Sequence, residues 1–379
     1  MPEMDFDDWF HSRQLTGFRT RLKNWYRKHG RQLPWRESHN AYRIWISEIM
    51  LQQTTVAAVI PYFERFLARF PTLEDLANAQ EQDVLQLWEG LGYYSRARNI
   101  HRAARMLVEQ YGGQFPQSVS ALQTLPGIGR YTAGAIASFA FDLPAPIVEA
   151  NTLRLYSRLL GYADDPRTTA AQKQLWNFAG KILPRNKPGL FNQALMELGS
   201  TICRPVEPRC EQCPVKSYCR AFRMGKTDHI PKPKTRPSIT AVTEVSIAVK
   251  NRGRYLVRRY REKERWAGLW DFPRFELADS LSHQEKIRLT TKLRRQMECD
   301  CQERFGIQLI AHKLLTELFH SVTRYRIRLL CLFGEYQAGE FNTGHEHRWI
   351  TPVEFADFPF SVTGRKFANL LAERDSALM

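Results

Sequence analysis

Cys203, Cys210, Cys213 and Cys219 stand in the pattern C-x6-C-x2-C-x5-C, and four thiols within seventeen residues can wrap this stretch around one centre, a better account of so close a group than four unrelated buried thiols. Zinc and an iron-sulfur cubane are the two candidates. Zinc ribbons pair two short C-x2-4-C knuckles, which the x6 and x5 gaps fit poorly, so one [4Fe-4S] cluster is the better reading. The chain has seven cysteines, four acids by position 8 and no apolar stretch of signal-peptide or membrane-spanning length near its start. A reducing compartment follows, where grouped thiols hold a metal more often than they form disulfides.

The cysteines close a long helical stretch. From about Asp8 to Arg220 apolar residues recur at three and four, with Pro or Gly at the junctions, which predicts an all-α block. At Ile230 the texture changes to IPKPKTRPSIT, whose prolines cannot continue a helix. Alternating β-type runs follow at Ala241 to Val249, Tyr255 to Tyr260 and Tyr325 to Phe333, with a helix expected near His283 to Cys299. The expected organisation is an all-α domain over 1–229, a linker over 230–239 and an α+β domain over 240–379.

Charge narrows the partner. Lys and Arg total 55 against 39 Asp and Glu, a net charge of +16, and residues 201 to 236 carry nine cations against three acids. A polyanion is implied, nucleic acid or an anionic membrane surface. LPGIGRYTAGAIASFAF, Leu125 to Phe141, favours the first. Gly127 and Gly129 let backbone N–H groups face outward at a helix start, where the dipole favours an anion, as helix-hairpin-helix elements do with DNA phosphates. Taken alone the same motif serves a structural helical turn equally well.

Further motifs accompany these: RQLPWR (Arg31 to Arg36), SEIMLQQT (Ser47 to Thr54), LWEGLGYYSRARN (Leu87 to Asn99), FNQALMELG (Phe191 to Gly199) and WAGLWDFP (Trp266 to Pro273). With the glycine hairpin and the cysteine spacing they resemble adenine DNA glycosylases of the MutY type across essentially the whole chain. The hairpin and cysteines are shared with the endonuclease III superfamily; SEIMLQQT, GLGYYSR and WAGLWDFP narrow the resemblance. It implies a helix-hairpin-helix glycosylase domain with a [4Fe-4S] loop, then a Nudix-like domain that reads 8-oxoguanine opposite the target adenine.

Hydrolysing an N-glycosidic bond needs a protonated leaving base, a stabilised sugar cation, a water and a base swung out of the stack. Glu48 suits the acid, because apolar helix neighbours Ile44, Trp45 and Leu51 would keep its carboxyl protonated near neutrality. Where the family has D-G-N this chain reads Glu149, Ala150 and Asn151, so the second carboxylate is retained but one methylene longer. Glu149 either stabilises the oxocarbenium ion, with Asn151 beside it, or merely starts a helix. Tyr131 occupies the hairpin position where lyases of the superfamily carry a Schiff-base lysine, and a phenol forms no imine, so base excision without strand cleavage is expected. The resemblance further implies that Trp35, Arg36 and Gln193 line the adenine pocket, that Gln53 and Tyr93 enter the duplex where the base leaves, and that Leu51 supports them.

In the second domain RQMECDCQERFGI lacks the acid pattern of Nudix pyrophosphatases, so recognition is expected there rather than hydrolysis. The family's Phe-Ser-His lesion loop aligns with Val322, Thr323 and Arg324, His320 and Ser321 offering a rival register. The expected enzyme is a monomer acting on double-stranded DNA with adenine opposite 8-oxoguanine or guanine, with no membrane partner. It belongs to a reducing intracellular compartment, the bacterial cytoplasm ahead of a nucleus. A thymine-mismatch glycosylase, a non-cleaving lesion binder and a zinc-ribbon module are the alternatives.

Overall fold

Phe18, Leu22 and Tyr26 recur at four-residue spacing on the Ser12–His29 helix, and this stripe is what the helix buries. It meets Tyr156, Leu159, Phe178, Phe191, Ala194 and Leu198 from three further helices in one continuous core. The computed structural model describes residues 12–233, 238–277, 289–341 and 346–377. They fall into two compact units, one drawn from Met1–Asn78 and Asn99–Thr235, the other from Ala79–Arg98 and Arg236–Met379.

In the first unit the Pro188–Thr201 helix packs against Ser12–His29, Arg130–Phe141 and Ala150–Leu160, and Arg130–Phe141 also packs against Ala41–Met50. Small residues permit this closeness. A Cβ on Gly199 would lie 2.9 Å from the Cβ of Asn151 and 3.0 Å from its carbonyl oxygen, and one on Gly134 would meet the Pro146 carbonyl oxygen at 2.5 Å. Buried helices approaching this tightly hold their polar residues in fixed positions.

The second unit is a mixed seven-stranded sheet: β1 (Thr240–Asn251), β2 (Arg254–Arg259), β3 (Trp270–Asp271), β4 (Arg274–Glu276), β5 (Ile307–Val322), β6 (Tyr325–Gly339) and β7 (His347–Ile350). Its main path runs β3-β2-β1-β6-β5, with β4 on β1 and β7 on β2; β1 and β6 are parallel. Strand alternation sends Val245, Ile247 and Val249 of β1 toward Met297, Cys301 and Phe305 of the Thr291–Phe305 helix. On the opposite face Ala248, Tyr255 and Val257 meet Phe367, Ala368 and Leu371 of the Val362–Ser376 helix. The helix expected from His283 begins at Thr291 behind its cap Thr290, and the part of that expectation within 278–288 lies outside the described residues, as does 234–237 of the expected linker.

Residues 79–98 fall with the second unit although sequence places them in the helical block. The reason is side-chain chemistry. Gln82 donates to the Gly268 carbonyl at 3.1 Å and accepts from the Trp270 indole at 2.9 Å, and Gln86 donates to the Ala356 carbonyl at 2.6 Å. Arg98 donates to the carbonyl of Ala267.

Candidate active site

SEIM closes a helix, Ala41–Met50, that is apolar nearly all round and therefore buried, with Asn40 capping its start by accepting from the Arg43 N–H at 3.1 Å. Glu48 is carried inside with it, 4% exposed. Burial pushes its carboxyl up to about 7; the Tyr131 hydrogen bond opposes this, the charge of Glu149 adds to it and Arg36 opposes it. Tyr131, at the start of the Arg130–Phe141 helix, donates to Glu48 Oε2 at 2.5 Å. Burial, chiefly, and the neighbouring carboxyls hold its phenol well above the usual tyrosine range.

Both groups border a cavity of about 1100 Å³. Trp35, Arg36, Leu51, Gln53, Gly129, Glu149, Asn151 and Gln193 line it as well, so ten residues picked out from separate motifs converge on one hollow. Their individual postures differ. Trp35 is 5% exposed and packs edge-on to Phe63. Arg36 donates to Glu197 Oε2 at 2.9 Å and to the Arg31 carbonyl at 3.1 Å, while Gln193 Oε1 accepts from the Tyr26 hydroxyl at 2.9 Å, leaving its amide NH2 for another partner.

Glu149 is the cap of the Ala150–Leu160 helix. Its Oε1 accepts from Thr152 N–H and its Oε2 from Asn151 N–H, each at 2.8 Å, and Thr152 Oγ1 accepts from the Glu149 N–H at 2.8 Å, completing a capping box. Burial raises the Glu149 carboxyl against the pull of these donors. Asn151 also donates from its side chain to Glu149 Oε2 at 3.2 Å and accepts from Arg154 at 3.0 Å. Arg154 spans onward to the Gly199 carbonyl at 2.7 Å and the Cys203 carbonyl at 2.8 Å.

The four cysteines line a separate small cavity with Arg158 and Phe222. Cys213 stands within electrostatic reach of the other three, and Arg158 donates to Cys203 Sγ at 3.2 Å, a charge-assisted contact suited to a thiolate. Among the described residues no three His, Cys, Asp or Glu side chains are close enough to hold a single metal ion. Gly127 has φ +77 and a Cβ there would strike Asn99, so glycine is required; around Gly129, the helix cap, nothing lies within 4 Å of a built Cβ.

Tyr93, Thr323 and Arg324 belong to the second unit. Thr323 and Arg324 form the exposed two-residue tip of the β5–β6 hairpin, closed by the Val322–Tyr325 pair, and Arg324 donates to the Tyr325 hydroxyl at 3.0 Å. His320 instead turns inward toward Arg274, 3.4 Å from its guanidinium, and burial with that charge brings its imidazole down to about 4.

Sequence reading missed Glu197 and Arg154. Glu197 is fully buried, held by Arg31 at 2.6 Å and Arg36 at 2.9 Å, and these two cations outweigh burial and keep its carboxyl below the usual range. The signal was present: an acid inside the apolar run FNQALMELG needs a buried cation. A second missed signal needs coordinates. Gln53, Tyr93 and Thr323 are three of seven non-glycine residues with positive φ among the described residues, and such backbone persists where surroundings enforce it, often at functional sites.

A helical unit with a glycine hairpin, and a buried protonatable acid at the wall of an open cavity, are the elements of a DNA N-glycosylase of base excision repair. Residues 46–181 match the family described as HhH-GPD superfamily base excision DNA repair protein, and residues 245–370 match the NUDIX domain. The adenine DNA glycosylase of Mus musculus is 35% identical over 405 residues, covering 93% of this chain and 77% of that protein. That of Buchnera aphidicola subsp. Acyrthosiphon pisum (strain APS) is 39% identical over 254 residues, covering 67% and 73%. A solved thermostable thymine-DNA glycosylase aligns with TM-score 0.52 and 28% identity over 58% of this chain and 100% of its own. The chain belongs to the adenine DNA glycosylase family. No helix among the described residues is long and apolar enough to cross a membrane.

Proposed function

We infer that the substrate is adenine opposite 8-oxoguanine or guanine in double-stranded DNA, and that a single copy of the chain excises it without cutting the strand. The observation that carries this is Glu48: a buried carboxyl with a pKa brought to about 7, on a cavity of about 1100 Å³. Glu48 gives its proton to the extruded base as the C1′–N bond breaks, the bonding pair leaving with the base. Water adds its oxygen to C1′, and the Glu48 carboxylate recovers a proton from it. Glu149, on the same wall, faces the sugar cation with negative charge, and Asn151 holds that carboxylate. Tyr131 orients Glu48 and has no amine with which to form an imine. Trp35, Arg36 and Gln193 form the adenine pocket, with Arg36 acting chiefly through Glu197; Gln53 and Tyr93 fill the gap in the duplex, backed by Leu51.

Gly127 and Gly129 hold a DNA phosphate. Thr323 and Arg324, at an exposed hairpin tip, meet the base opposite adenine. We read 1–229 as the glycosylase domain, 230–239 as linker and 240–379 as the lesion-reading domain. Cys203, Cys210, Cys213 and Cys219 hold one [4Fe-4S] cluster, supported by their shared cavity and by the Arg158 donor to Cys203. Bound there, such a cluster would tie the four cysteines together, and the cations between them, Arg204, Arg209 and Lys216, would be the residues offered to phosphate. A reducing intracellular compartment, bacterial cytoplasm ahead of nucleus, suits such a centre.

Single-turnover excision, read as alkali-revealed nicking of a duplex with one adenine opposite 8-oxoguanine, tests the reading. Full activity that falls by about a hundred- to ten-thousandfold in Glu48→Gln is expected. Tight binding without nicking would make the chain a lesion binder instead, and nicking before alkali would overturn the monofunctional assignment. Iron analysis and visible absorption of the purified chain test the cluster against zinc.

A further inference from the structure

WAGLWDFP takes no part in the excision chemistry above, and its packing within the second unit gives it a task. Asp271 is 1% exposed, and its Oδ2 accepts from the Ser361 hydroxyl at 2.7 Å. Ser361 in turn caps the Val362–Ser376 helix by accepting from the Gly364 N–H at 3.0 Å, and a Cβ on Gly364 would lie 2.6 Å from Asp271. The motif thus fixes where this helix starts, and so where Arg365 in its first turn points. The Arg365 guanidinium donates from Nε to Glu89 Oε1 at 2.7 Å and from Nη2 to Glu89 Oε2 at 3.0 Å, a bidentate pair, and is steadied by the carbonyls of Phe355 and Phe358 at 2.7 and 2.6 Å. Glu89 also accepts from the Phe360 N–H at 3.2 Å.

Glu89 opens the turn that carries Tyr93. Gly90 and Gly92 have φ +100 and +72, and Tyr93, a residue that resists this region, has φ +48 and is 49% exposed. The Trp88 indole and the Arg96 guanidinium both donate to the Gly92 carbonyl at 3.2 Å, and Arg96 lies 5.3 Å from the Trp88 ring centre and 5.7 Å from that of Tyr93. Such backbone persists only where its surroundings over-determine it, and Arg365 grips the residue at the entry of this turn.

We propose that Arg365, through Glu89, is a positioning residue for Tyr93, so that the WAGLWDFP-bearing domain sets the geometry of the residue that enters the duplex. The proposal rests on the reading of Tyr93 given above. The test is a double-mutant cycle in the full-length chain, Arg365→Ala against Tyr93→Ala. The readouts are single-turnover excision opposite 8-oxoguanine and the fluorescence rise of 2-aminopurine placed beside the adenine. Arg365→Ala alone is expected to slow both by about tenfold, and to add nothing in the Tyr93→Ala background. Equal slowing in both backgrounds, or full speed in Arg365→Ala while Tyr93→Ala is slow, overturns the positioning role. Wild-type speed in Tyr93→Ala itself overturns the wedge reading instead. Should Arg365→Ala fold poorly, Arg365→Gln with amide exchange across 88–96 serves: faster exchange confined to that turn supports the proposal, and unchanged exchange refutes it.

Discussion

Glu48 ties pH to both rate and stability. In the proposed mechanism its protonated form is the reactive one, so excision is expected to fall as pH rises through about 7. The Tyr131 hydrogen bond favours the carboxylate, so removing it raises the carboxyl pKa; the alkaline limb of a pH–rate profile for Tyr131→Phe should move upward by about one pH unit. An unmoved limb would deny the phenol any hold on the acid. Stability has its own sign. The folded pKa lies above the usual 4.5, so the folded chain binds more protons between about 4.5 and 7 and loses stability as pH rises through that window. Glu48→Gln, uncharged throughout, should therefore gain about 2 to 3 kcal/mol relative to wild type between pH 5 and pH 8. Urea unfolding at the two pH values measures it, and a pH-independent difference would show that Glu48 is not buried at its ordinary cost.

Helix starts and turns carry much of the site. Glu149 caps Ala150–Leu160 with both oxygens and borders the cavity with the same group. Capping alone predicts that Glu149→Asp and Glu149→Gln differ from wild type by no more than about 1 kcal/mol and excise adenine equally well. A charge facing the sugar cation predicts instead that Glu149→Gln slows single-turnover excision about a hundredfold while Glu149→Asp stays active; thermal melts beside the rates separate the two. The sequence left this choice open because a carboxylate before a helix suits both purposes. Other elements were easier to read: the apolar period of the first helix and the alternation of β1 are visible in the letters, as is the break at Pro231. What stayed hidden was tertiary. Nothing in the letters announces that Gln82, Gln86 and Glu89 will bond residues nearly two hundred positions away or more, nor that Gln53, Tyr93 and Thr323 take left-handed backbone.

Across the whole chain the positive charge is shared: residues 1–235 hold 31 cations and 21 acids, and 236–379 hold 24 and 18. Many of these cations are already paired. Arg31, Arg258, Arg274, Arg328 and Arg365 sit in ion pairs within their own units, so the number of cations overstates how many are offered to phosphates. Residues 201–236 differ, with nine cations to three acids, of which Lys216 pairs with Glu211 on the exposed surface, where water screens the pair and leaves it weak. Affinity for undamaged duplex should accordingly fall by about a thousandfold or more between 50 and 200 mM salt if some six phosphates are neutralised. Replacing Arg209 and Arg223 by Ala should lower the slope of log K against log salt by about one for each phosphate no longer neutralised. The adenine-over-other-base preference, which the proposed function places on Glu48 and Gln193 inside the cavity, should stay unchanged in the same variants. Titrations of a fluorescent duplex at four salt concentrations give the slopes, and an unaltered slope would move the phosphate-binding cations away from the cysteine loop. A preference that shifted with them would mean that loop charge and base choice are coupled.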